Sequence, residues 1–394
     1  MKRSIIAIIS SISVLFFGSC RKYLEVGPPP VQLITSTVFE NDKTAVAALL
    51  SIYAQFEKET VLYNLTVYTA FSSDEGVCHN LLKDNSDLYN ASLDANNTNT
   101  ASLWAKFYSI IYQCNAILSS VEKSSGLSEN VRKLVEGEAR FLRALSYFYL
   151  VNLYGDVPLV INIDYKENLL LGRTTIEEVY EFIITDLTRA KSILPEDYLD
   201  GKNVISKEKV RANKWVVSAF LAKVYLFNRR YANAFNESEE IIESKKFTLL
   251  SNLDEVFLKN SSEAIFQIQS LPPRNSTLIG NNLILTTTPQ LISLSQHIRQ
   301  DLEPSDQREI SWVRNITSNG QLYHYCYKYK LRGNMQEASE YTMILRLAEI
   351  YLIRAEAKVH LNDLEGARQD LNIIRQRAGL LPSESQKPDD ILLE

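Results

Sequence analysis

Glycine and proline are scarce, with 13 and 11 in 394 residues, each roughly half of ordinary usage. So few breakers argue against a turn-rich all-β architecture and for long helices. An excess of positive charge is also missing. Lys and Arg number 42 against 47 Asp and Glu, a net charge of −5, so no cationic field awaits a phosphate backbone and a nucleic-acid partner is not expected. Histidine and cysteine number four each. His79, His297, His324 and His360 lie far apart, and the sequence contains neither H-E-x-x-H nor C-x-x-C, so no metal and no cofactor are expected. The G-x-S-x-G elbow, the Gly-rich phosphate loop and G-x-G-x-x-G are absent as well, and with them the commonest local signs of catalysis. No apolar run reaches the roughly 20 residues that a membrane-spanning helix needs.

What is present is ample core material: 45% apolar residues, with 3 Trp, 21 Tyr and 15 Phe, place the chain in the globular class. The N-terminus carries Lys2-Arg3, an apolar stretch from Ile5 to Phe17, then Gly18-Ser19-Cys20. This order of charged, apolar and small residues predicts an export signal over residues 1–19. It resembles a bacterial lipobox, which makes Cys20 the lipidated residue and tethers the mature chain to a membrane without embedding it. Pro28-Pro29-Pro30 stiffens a predicted tether over residues 20–35, and residues 36–394 form the domain. With Cys20 lipidated, Cys78, Cys114 and Cys326 remain, an odd number that predicts no essential disulfide.

Helical periodicity is clearest after Thr175-x-x-Glu178, a capping box followed by Ile176, Val179, Tyr180, Ile183, Ile184, Leu187 and Leu194 and stopped by Pro195. Trp104, Tyr108, Ile111 and Asn115 fall on one face of another helix, and Gly137 to Tyr154 is apolar almost all round, as a central helix would be. Trp104, Trp215, Phe141, Tyr147, Phe148 and Tyr149 are therefore expected in the core. Lys83 to Ser102 reads as a polar loop. Leu221-Ala222, Tyr225 and Ala234 have the spacing of a tetratricopeptide-like helix pair, echoed by Ala355, Ala367 and Leu371. The helical pattern breaks once, where Glu309–Val313, a turn at Thr317–Gly320 and Leu322–Lys330 predict a β-hairpin. In its second arm Tyr323, Tyr325, Tyr327 and Tyr329 alternate with His324, Cys326, Lys328 and Lys330.

Nearly the whole chain resembles the SusD/RagB family of outer-membrane nutrient-binding lipoproteins. The resemblance runs through Cys20 with Lys22-Tyr23-Leu24-Glu25, Ser73-Asp74-Glu75, and Trp104 with Tyr108 and Asn115. It is most specific in Gly137-Glu138-Ala139-Arg140-Phe141-Leu142-Arg143-Ala144 and in Leu153-Tyr154-Gly155-Asp156-Val157-Pro158-Leu159. It continues through Arg173-Thr174-Thr175, Ala222-Lys223-Val224-Tyr225-Leu226, Glu263-Ala264-Ile265-Phe266 and the stretch from Leu345 to Leu352. The resemblance implies a mainly α fold, a tetratricopeptide-like α/α superhelical scaffold with irregular loops and a small β-hairpin. It also implies a non-catalytic cell-surface lipoprotein that binds glycan and delivers it to a TonB-dependent SusC-type transporter, or else a scaffold or lid for a transporter of other cargo such as peptides. The chain stops at Ile391-Leu392-Leu393-Glu394, where members of the family continue into a further helix. A truncated end is expected to expose Leu371, Ile373 and Ile374.

Ligand residues do not transfer by motif, so the candidates come from chemistry. A neutral sugar offers C–H faces and hydroxyls, which call for an aromatic platform and a few amide, carboxylate or guanidinium partners. Trp312, Arg314, Asn315, Tyr323 and Tyr325 supply those groups in one segment, with Asn319 beside them; the alternative is that the tyrosine face packs the hairpin onto the helices. Tyr89 and Asn90 form a second candidate. Asp74-Glu75 and Glu239-Glu240 are the adjacent carboxylate pairs, but neighbouring side chains diverge, which argues against a shared hydrolytic site.

Overall fold

The computed structural model describes residues 38–393; the export signal, Cys20 and the whole of the predicted tether lie outside them. The helices are α1 (Asp42–Lys58), α2 (Val61–Ser72), α3 (Lys83–Tyr89), α4 (Thr98–Lys123), α5 (Glu129–Tyr154), α6 (Tyr165–Asn168), α7 (Ile176–Ile193), α8 (Lys214–Phe227), α9 (Tyr231–Glu243), α10 (Leu278–Leu283), α11 (Gln296–Asp301), α12 (Gln307–Trp312), α13 (Leu347–His360), α14 (Leu364–Arg377) and α15 (Pro388–Leu393). The strands are β1 (Gly76–Cys78), β2 (Ala264–Ile268), β3 (Ile292–Leu294), β4 (Val313–Ser318), β5 (Gln321–Cys326) and β6 (Thr342–Arg346). The fold is mainly α, as expected. No described helix is long and apolar enough to cross a membrane.

Helices α4, α5, α7, α8, α9, α13 and α14 pack successively, each on the one before. Small residues set their approach: Ala222 of α8 and Ala234 of α9 are fully buried, as is Ala367 of α14. The capping box starts α7, with the Glu178 amide donating to Thr175 Oγ1 at 3.3 Å and the Thr175 amide to Glu178 Oε2 at 3.4 Å. The apolar stripe of α7 faces inward from Val179 to Ala190, while Ile176 at its start stays exposed.

Helix α5 is buried on nearly every side, and its charges are matched inside the core. Arg143 Nε and Nη2 donate to Asp186 at 2.7 and 2.9 Å, and its Nη1 donates to Asn115 Oδ1 at 2.7 Å. Arg211 Nη2 donates to Glu138 at 2.6 Å. The same helices pin the segment that follows α5: Tyr108 Oη donates to the Pro158 carbonyl at 2.7 Å, and Asn115 Nδ2 to that of Val160 at 2.9 Å. Trp104 packs edge-on against Tyr154, ring centroids 5.0 Å apart. The aromatics expected in the core therefore serve the scaffold. Gly155 ends α5 at φ 69°, ψ −134°, a conformation that side chains bearing a Cβ disfavour.

Strands β1, β3, β5 and β4 form one antiparallel sheet in that order, and β2 pairs with β6 in another. Three expectations are corrected. The predicted loop from Lys83 to Ser102 holds helix α3 and the first turn of α4. Lys83 pins it by bonding Asp87 and Asp94, and Asn97 caps α4 by accepting from the Thr100 amide at 3.1 Å. Glu309 to Trp312 is helical, so the hairpin begins at Val313. Leu371 and Ile374 are buried, Leu371 in a cluster with Val359, Ala367 and Ile391 of α15; of the three named residues, Ile373 alone is exposed.

Candidate functional site

The β4–β5 hairpin closes on Asn319 and Gly320, at φ 53° and 77°, the positive pair of a two-residue type I′ turn. This turn fixes the register: Arg314 lies opposite Tyr325, Asn315 opposite His324 and Ile316 opposite Tyr323. Because side chains alternate along a strand, Arg314, Tyr323 and Tyr325 share one face and Asn315 lies on the other with His324. Asn319 at the tip donates to Thr288 Oγ1 at 3.2 Å.

Trp312 departs from its expected role. It is 7% exposed at the end of α12 and packs with Leu253, Val256, Phe257 and Tyr329. Its Nε1–H donates to the Leu253 carbonyl at 3.0 Å, which satisfies the indole inside the core. It is a buried wall, not an open platform. Tyr329 is buried in the same cluster, and its hydroxyl accepts from the Met343 amide at 2.8 Å. The tyrosine alternation is strand-like as far as Cys326, where β5 ends.

On the outer face Tyr325 and Tyr327 meet edge to face at 6.2 Å, and the Arg314 guanidinium lies 5.0 Å from the Tyr327 ring. Tyr323 meets His79 at 5.6 Å, and His79 Nε2 is 2.8 Å from Ser293 Oγ. Burial, then the neighbouring Tyr327, pushes the Tyr325 phenol pKa up, while burial lowers that of His79. Both shifts favour the neutral ring.

Behind the hairpin lies a cavity of about 440 Å³, between the four-stranded sheet and helices α2 and α12. Trp312 and Tyr325 both line it, together with Glu75, Arg308, Lys328 and Arg346. Its volume falls within the range of small-ligand pockets. Of the five candidates, then, Trp312 and Tyr325 border the cavity, Tyr325 also shares the outer face with Arg314 and Tyr323, and Asn315 lies on the opposite face of the hairpin. Tyr89 and Asn90 serve local structure: Tyr89 packs edge-on against Phe71 at 6.3 Å, and Asn90 Nδ2 donates to Ser86 Oγ at 3.1 Å. Arg308 and Arg346 escaped the sequence reading, since nothing local marks an arginine that reaches a distant wall. Lys328 was visible only as one member of the alternating arm. Among the described residues no three His, Cys, Asp or Glu side chains gather to hold a metal.

Comparison with known proteins agrees with this architecture. The SusD-like family profile described as starch-binding and associating with the outer membrane matches residues 22–226, and the SusD family profile matches residues 308–391. A SusD-like protein of Bacteroides ovatus is 24% identical, the match taking in 100% of this chain and 79% of that protein. A SusD-like protein of Formosa agariphila is 25% identical over 64% of this chain, which spans about half of that relative, 49%. Among solved structures, the surface glycan-binding protein A from Bacteroides uniformis superposes with a TM-score of 0.75 at 21% identity, covering 90% of this chain and 84% of that one. A SusD superfamily protein from Bacteroides vulgatus gives 0.77 at 18% identity, with the same coverage. With one profile alone matching more than half of the chain, the protein belongs to the SusD-like family.

Proposed function

We propose that this protein is a non-catalytic surface lipoprotein, anchored through Cys20, that captures glycan at the β4–β5 hairpin and passes it to a TonB-dependent SusC-type transporter. The observation that carries the reading is Tyr325. It borders the cavity on one side and, with Tyr327 and Arg314, forms the aromatic and guanidinium cluster of the outer face. Aromatic faces stack on sugar C–H surfaces, and fixed polar groups beside them orient the hydroxyls.

The test is isothermal titration of the full-length protein in detergent against a panel of neutral and acidic polysaccharides. Tyr325→Ala is the informative variant, because Trp312→Ala would also open the core. Saturable binding that Tyr325→Ala weakens at least about tenfold, which is roughly 1.4 kcal/mol, supports the reading; a folded protein that binds no glycan defeats it.

A second reading, a scaffold or lid on a transporter of other cargo such as peptides, is favoured by one feature. The loop between α5 and α7 leaves Ile161, Ile163, Tyr165, Leu169 and Leu170 between 40% and 85% exposed, an apolar density typical of protein-contacting surfaces. Copurification with a transporter in the absence of glycan affinity would select that reading.

A further inference from the structure

The glycan reading leaves the ligand's charge open, and the cavity's own charges bear on it. We propose that the cavity behind the hairpin takes an acidic saccharide, with its carboxylate or sulfate held by Lys328 and Arg346 beside the Trp312 ring. The inference rests on the glycan reading and narrows its ligand class.

Two cations from separate segments converge on one indole. Lys328 Nζ lies 5.7 Å from the Trp312 ring centroid and Arg346 Cζ 5.8 Å from it. Their countercharges are incomplete. Arg346 Nη1 bonds Glu263 Oε1 at 2.8 Å, but Arg377 Nη1 takes the other oxygen of that fully buried carboxylate at 2.6 Å. One anion therefore serves two guanidinium groups. The Arg377 side chain is 7% exposed, and its Nε has no hydrogen-bond partner. Arg308 is matched by Asp306 at 2.6 Å. Lys328 pairs with no carboxylate among the described residues, and Glu75 is the one carboxylate among the residues lining the cavity. Among the residues lining the cavity three cations, Arg308, Lys328 and Arg346, thus accompany one carboxylate, in a chain whose net charge is −5.

Burial first, then the like charges of Arg346 and Arg308, lowers the Arg377 pKa against the opposing pull of Glu263. Lys328 is exposed, but Arg308, Arg346 and Arg377 are partly removed from water, and crowding such cations is costly. An entering anion would relieve them through charge-assisted hydrogen bonds, which are stronger than neutral ones. The Trp312 wall and the apolar sheet residues leave room for a ring beside the charged group.

The decisive experiment is native affinity electrophoresis of the full-length protein in detergent. The gels carry polygalacturonate (carboxylate only), ι-carrageenan (sulfate only), or the neutral polymers amylopectin, laminarin and xyloglucan. The expected result is retardation by one acidic polymer at least about tenfold stronger than by any neutral one. Added salt should weaken it, Lys328→Met should reduce it at least tenfold, and Lys328→Arg should restore it. The two acidic arms separate a carboxylate-bearing from a sulfate-bearing ligand. Neutral-polymer retardation that equals or exceeds that by the acidic polymers, or acidic-polymer retardation that Lys328→Met leaves unchanged, overturns the acidic assignment and leaves glycan capture standing. Retardation by none of the five overturns both.

Discussion

The helical stack and the sheet region handle buried charge differently. In the stack Arg143 holds Asp186 through two hydrogen bonds, Arg211 holds Glu138, and Arg354 holds Asp370 with Glu239. Around the hairpin Arg346 and Arg377, the last residue of α14, divide a single Glu263, and the exposed Lys328 pairs with no described carboxylate. A matched buried pair adds little net stability over an apolar core, yet removing one partner is costly. An unmatched cation beside a cavity has the opposite profile: the fold hardly depends on it, and an incoming ligand can use it. The charges of the first region are architectural; in the second, Lys328 is the charge proposed to meet a ligand.

The sharpest way to break this contrast is to delete a stack charge. Arg143→Ala leaves Asp186, 1% exposed, with Arg140 as its only ion-pair partner among the described residues, and should cost about 3–5 kcal/mol in denaturant unfolding. A loss below about 1 kcal/mol would dissolve the distinction.

A smaller effect should appear where the two regions meet. Glu57 of α1, 2% exposed, pairs with Arg274 from the chain just before α10. Burial raises its pKa to about 7, against the opposing pull of Arg274. A raised carboxyl pKa means that the folded state holds the proton more tightly than the unfolded one. The resulting stabilisation is complete below the unfolded value and is lost as pH climbs through about 7. Melting temperature should therefore fall between pH 5 and pH 8, by the equivalent of at most about 3 kcal/mol, and Glu57→Gln should flatten that slope.

Weaker still is the cap of α7, where Thr175→Ala should cost about 1 kcal/mol in the same unfolding assay. Smallest of all is Lys328→Met, whose stability should stay within about 0.5 kcal/mol of the parent.

The same two regions divide what the sequence made legible. The stack was readable because its signals are local: a capping box at Thr175, an apolar stripe through α7, and small residues at Ala222 and Ala234 that allow close helix packing. The hairpin turn was readable too, since Asn319-Gly320 is itself the turn chemistry. The site was not. Trp312 looked like a platform because an exposed and a buried indole have the same sequence, and its burial depends on the Leu253 carbonyl, 59 positions away. The tyrosine alternation hid the end of β5, because a period of two persists through Tyr329 although that residue turns into the core. Lys328 and Arg346 meet at one ring only through the fold that joins β5 to β6. Ile391 conceals Leu371 by a contact of the same long-range kind.

Thermal melting of the parent protein and Lys328→Met, each with and without polygalacturonate or ι-carrageenan, tests the central claim most directly. A ligand that binds the folded state alone raises its melting temperature by mass action. The account predicts identical melting without ligand and a ligand-induced rise in the parent that Lys328→Met loses. Lower melting of ligand-free Lys328→Met, or an equal ligand-induced rise in both proteins, would contradict it.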